Sequence, residues 1–66
     1  MKDYNILLDK CIELLNKEKN MEVDEIVGTV MYKNTALVRR AEKKNNFTFL
    51  ELEERLIDGL YGYING

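Results

Sequence analysis

The sequence predicts an all-α protein, a small bundle of three to four helices, and three observations carry that expectation. Apolar residues recur at three- and four-residue spacing through four segments, the period of a helix with one buried face. No proline interrupts any of them. Thr48 and Glu51 form a T-x-x-E capping box, the local mark of a helix start.

The first helix is expected over about 3–19. On a helical wheel Tyr4, Leu7, Leu8, Cys11, Ile12, Leu14 and Leu15 fall within about 160°, the width of a face packed on a core. Asp3 near its start and Lys17 and Lys19 near its end suit the helix dipole. Ile6 falls on the polar side, either as a lone exposed apolar residue or as a partner contact. Cys11 lies at the centre of the apolar stripe and reads as core.

The second helix, about 22–32, places Val23, Ile26, Val27, Val30 and Met31 on one face, with Asn20 as its expected N-cap and Glu22, Asp24 and Glu25 in its first turn. Gly28 lies on its polar side. The third, about 35–45, is capped by Asn34 or Thr35 and has a narrow apolar stripe of Leu37, Val38 and Ala41. The fourth, about 49–64, follows the capping box, with Phe47 and Leu52 at the positions of a hydrophobic staple. An alternative α-β-β-α arrangement would fold "TVMYKNTALV" as a hairpin around Lys33-Asn34. Neither face of that hairpin would be polar, whereas helical spacing separates apolar from charged residues, so the all-α reading is preferred.

Size narrows the function. A single domain of 66 residues buries only about 60% of its unfolded surface and commonly relies on a disulfide, a metal or a second subunit. One cysteine forms no intrachain disulfide, and one cysteine without histidine cannot furnish a structural zinc site. Self-association or close helix packing is left. The lone thiol, the absence of a signal-peptide pattern and the lack of a long apolar run suggest a cytoplasmic protein. An acidic polar face on the fourth helix disfavours a membrane partner.

Charge is unevenly spread. Residues 33–44 carry Lys33, Arg39, Arg40, Lys43 and Lys44 against Glu42 alone, a net +4, while 1–32 and 45–66 each carry −3. On the third helix the cations span about 140° of one side. Following a short connection from the second helix, they could serve a helix-turn-helix-like DNA-binding regulator, with cations on phosphates and arginine on guanine edges. The negative net charge and the arginines at 39 and 40, where such a helix needs an apolar anchor, oppose that reading. A solvated face paired with the acidic helices, or the docking face for an acidic protein, are the other readings.

The fourth helix is the stronger candidate. Phe49, Leu50, Leu52, Leu56, Ile57, Leu60, Tyr61, Tyr63 and Ile64 span about 180°, more than one neighbouring helix covers. Either it is the central helix of a monomer or part of the arc binds a partner, as its tyrosines favour. The expected interface residues are Phe49, Leu56, Ile57, Leu60, Tyr61, Tyr63 and Ile64. Gly59 and Gly62 beside them would admit another backbone. Glu53, in the middle of the arc, reaches water or pairs with Arg39 or Arg40.

Catalysis has little to work with. There is no histidine to act as a base near neutral pH. Glu51, Glu54 and Asp58 share a helix face that makes a poor cation site, and the glycines form no phosphate loop. The sequence therefore suggests a small non-enzymatic protein-interaction module, regulatory or inhibitory, without a cofactor, a metal or an evident small-molecule substrate. Its expected partner is a protein or a second copy of itself. Small chains of this kind are common in bacteria and their mobile elements.

Overall fold

A computed structural model describes residues Lys2–Gly66. It contains four helices and no strand among the described residues: α1 (Lys2–Lys17), α2 (Val23–Lys33), α3 (Thr35–Asn45) and α4 (Phe49–Asn65). The all-α bundle is as expected, and the hairpin alternative is wrong: residues 27–38 are helical except at Asn34. Every helix touches the other three.

The helix ends follow local chemistry. Asp3 stands in the first turn of α1 and Lys17 in the last, each complementing the dipole. The helix stops two residues before the expected Lys19. The N-cap of α2 is Glu22, not Asn20. Its backbone N–H donates to Oε1 of Glu25 at 3.2 Å, the reciprocal half of a capping box, which fixes the start two residues later than an Asn20 cap would.

The break between α2 and α3 is a single residue. Asn34, one of the two expected caps of α3, holds the N-cap position of that helix, but its side chain makes no bond there and instead caps the helix before: Nδ2 donates to the Val30 carbonyl at 2.7 Å. That bond satisfies one of the carbonyls left unpaired at a helix C-terminus. Asn46 ends α3 in the left-handed conformation at φ 55°, which asparagine adopts more readily than most residues. The Phe47 N–H then returns to the Glu42 carbonyl at 2.9 Å.

The Thr48–Glu51 capping box forms in both directions. The Glu51 N–H donates to Thr48 Oγ1 at 3.1 Å and the Thr48 N–H to Glu51 Oε1 at 2.9 Å. Phe47 packs against the core that includes Leu52. The Arg55 guanidinium lies over its ring, 4.5 Å from the centroid, so the same ring serves an apolar and a cation–π contact.

The core comprises Leu7 and Cys11 from α1, five residues of α2 (Val23, Ile26, Val27, Val30 and Met31), Val38 and Ala41 from α3, and Leu52, Leu56 and Leu60 from α4. The three leucines of α4 recur every fourth residue and are fully buried. They form the inner ridge against which the other helices pack.

Candidate functional site

Burial divides the apolar arc of α4 in two. Leu56 and Leu60, expected at an interface, are instead in the chain's own core and fully buried. The arc is wide because its inner side is the bundle core and only its outer flank is free. On that flank and at the helix ends, Phe49, Leu50, Tyr61, Tyr63 and Ile64 are exposed, and Ile57 is half-buried. Of the six large apolar side chains exposed among the described residues, five are on α4 and the sixth is Tyr32. Leu50, which the expected interface set did not include, is 60% exposed, the highest figure on the helix for such a residue.

Glu53 is half-buried at the margin of this flank. The alternative reading of Glu53, an ion pair with Arg39 or Arg40, does not hold: among the described residues the ion pairs within 4 Å are Arg40 with Asp3 and Lys44 with Asp3.

A second apolar feature adjoins the start of α4. Gly28, Met31 and Tyr32 of α2, Thr35, Val38, Arg39 and Glu42 of α3, and Phe49 enclose a groove of about 440 Å³. Gly28 keeps one side of it open, since a Cβ there would meet nothing within 4 Å.

Gly59 has a different role from the one its position suggested. It admits a side chain of α1, not the backbone of a partner. A Cβ on it would lie 2.5 Å from the Tyr4 hydroxyl oxygen and 3.2 Å from Leu8 Cδ1. The bare backbone lets the Tyr4 hydroxyl donate to the Arg55 carbonyl at 2.9 Å. Burial holds the Tyr4 hydroxyl above its ordinary 10.0, an effect the neighbouring Arg55 charge opposes.

The basic face is partly committed to the fold. Arg40 Nη2 lies 3.7 Å from Asp3 Oδ1, and Lys44 Nζ 3.8 Å from Asp3 Oδ2. Asp3 is only 6% exposed, and its Oδ2 accepts no hydrogen bond from the described residues. The two cations therefore clamp α3 to the first turn of α1. Lys33, Arg39 and Lys43 are exposed and have no such partner among the described residues. No local pattern marks Asp3, rather than an acid of α4, as the residue that collects these charges.

Cys11 is buried in the core, as expected. Burial pushes its thiol up to about 11, which leaves it protonated and unreactive near neutral pH. Glu51, Glu54 and Asp58 share their surface with Arg55, and no three acidic, histidine or cysteine side chains are grouped as for a metal among the described residues. No helix of the described residues is long and apolar enough to cross a membrane.

No protein-family model matches the chain, and neither a curated protein nor a solved structure does.

Proposed function

We propose that this protein is a non-enzymatic protein-interaction module that binds through the outer flank of α4, in a regulatory or inhibitory role. One observation carries the reading. A helix that already contributes three fully buried leucines to the core leaves Phe49, Leu50, Tyr61, Tyr63 and Ile64 exposed. Large apolar and aromatic side chains left exposed in this number on one helix favour an interaction role, and tyrosine suits a boundary with one dry and one wet side. The Gly28–Phe49 groove offers further apolar surface for the same purpose.

The DNA-binding alternative has less support. The junction between α2 and α3 is one residue, shorter than the three- or four-residue turn of a helix-turn-helix. Two of the five candidate cations, Arg40 and Lys44, are drawn to Asp3. An enzymatic role has no histidine in the sequence and, among the described residues, no grouped metal ligands to draw on.

The test uses Leu50→Arg and Tyr61→Arg, which alter exposed positions, with Leu60→Arg as the contrast. The first two should retain the helical signal and cooperative unfolding of the parent while losing association with a partner or with the chain itself. Leu60→Arg should unfold the bundle. Full association by both surface variants would rule the α4 flank out.

A further inference from the structure

Resting on the proposal that the α4 flank binds protein, we infer that its occupant is a second copy of the same helix, packed antiparallel about a two-fold axis through Ile57. The inference starts from spacing. Leu50, Ile57 and Ile64 recur every seventh residue, so they drift by only about 20° per repeat and form one seam along α4. Leu50 and Ile64 are exposed and Ile57 is half-buried. Glu53 and Tyr61 lie four residues either side of Ile57, each about 40° off the seam and on opposite sides of it.

This arrangement is self-complementary when reversed. With Ile57 on the axis, Ile57 meets itself, Leu50 meets Ile64 of the second copy, and Glu53 comes level with the second copy's Tyr61. Apolar groups then face apolar groups. A half-buried carboxylate, which accepts hydrogen bonds, faces a phenol, which donates one. An isologous interface requires this reciprocity, in which the contact of one residue with another is repeated in reverse. Glu53, out of place on an apolar arc of a monomer, acquires a partner.

Charge selects the antiparallel orientation. All the ionised side chains of α4, namely Glu51, Glu53, Glu54, Arg55 and Asp58, lie within residues 49–58, and 59–65 have none. A parallel pair would set the acidic halves side by side. The antiparallel pair sets each acidic half against an uncharged one and also opposes the helix dipoles.

Single cysteines introduced into the full chain read the register directly, because Cys11 is buried and remains silent in the folded protein. Under mild oxidation Ile57→Cys should cross-link to itself, since helices in contact bring facing positions within disulfide reach. Leu50→Cys alone and Ile64→Cys alone should stay monomeric on a denaturing gel, while a mixture of the two cross-links. Sedimentation of the parent from roughly 1 µM to roughly 1 mM should show a monomer–dimer equilibrium that Tyr61→Phe weakens by roughly tenfold.

Efficient self-linking of Leu50→Cys or Ile64→Cys would mean a parallel pair and overturn the inference. Failure of Ile57→Cys to link to itself, or of the Leu50→Cys and Ile64→Cys mixture to cross-link, in a chain that dimerises would overturn the register, and an unweakened Tyr61→Phe dimer would overturn the Glu53–Tyr61 contact. A chain that stays monomeric throughout, with no cross-links, overturns the dimer. In that case, capture of a cellular protein by the parent but not by Leu50→Arg would keep the broader interaction reading, with an unlike partner such as a basic helix on the acidic-edged flank. Absence of both dimer and capture would remove that reading as well.

Discussion

The Tyr4 hydroxyl occupies the space that a side chain on Gly59 would need, since a Cβ there would lie 2.5 Å from the tyrosine oxygen. The pair locks α1 to α4 through the hydrogen bond to the Arg55 carbonyl. Gly59→Ala should therefore destabilise the bundle by about 1–3 kcal/mol despite the better helix propensity of alanine. Tyr4→Phe removes the clashing oxygen, so in that background the alanine should do less harm. Denaturant titrations of the two single variants and the double variant give the coupling, and additivity would show that the two positions are independent.

Gly28 and Gly62 are the opposite case. Neither has an atom within 4 Å of where a Cβ would stand, and neither has a positive φ. Gly28→Ala and Gly62→Ala should each stabilise the chain by up to about 1 kcal/mol, the helix propensity difference. A rise in thermal midpoint checks this. A fall at position 28 would mean that the groove wall closes more tightly than its open shape implies.

Asp3 makes the basic face partly structural, with an asymmetric consequence. Its two cations are 61% and 70% exposed, while the carboxylate is nearly buried. Asp3→Asn leaves exposed cations that water can solvate, so about 1 kcal/mol or less should be lost. The double variant Arg40→Ala with Lys44→Ala leaves a buried carboxylate without a counter-charge and should lose more, about 1–3 kcal/mol. Unfolding curves decide the order. Any nucleic-acid assay on these arginine and lysine variants needs that stability measured beside it.

The buried thiol links stability to alkaline pH. Cys11 is raised from 9.0 to about 11 in the fold. Below pH about 9 it is protonated in both states and contributes no pH dependence. Between about 9 and 11 the unfolded chain releases the proton while the native chain keeps it, so stability falls as pH rises, by at most about 1.4 kcal/mol per pH unit. Tyr4, also raised, extends the fall above its ordinary 10.0. Urea midpoints at about pH 8 and about pH 10.5 should differ in that direction. Cys11→Ala, whatever its own stability, should show a smaller difference between the two.

Much of this fold was legible in the sequence because its helices follow strong local rules. The starts of α3 and α4 fell where expected, and the other boundaries lay within two residues. The capping box at Thr48 needed nothing beyond its own four residues. What escaped depends on other parts of the chain. The wheel gave α4 a broad apolar arc, but the split between buried Leu56 and Leu60 and exposed Leu50 and Tyr61 is set by where three other helices lie. Glu22 displaced Asn20 as a cap because Glu25 could reach back to it. The burial of Asp3 arises from a crossing of α1 and α3 that no local pattern encodes.

Asn34 alone keeps α2 and α3 apart. If that residue became helical, positions 23–45 would run as one rod of about 35 Å, and α3 and α4 could no longer fold back on their own α1 and α2. They would instead complete the bundle of a neighbouring molecule, as in domain exchange. Asn34→Ala removes the side chain that caps α2 and favours the straight form. It should yield on gel filtration a larger species that returns to the smaller one only through unfolding.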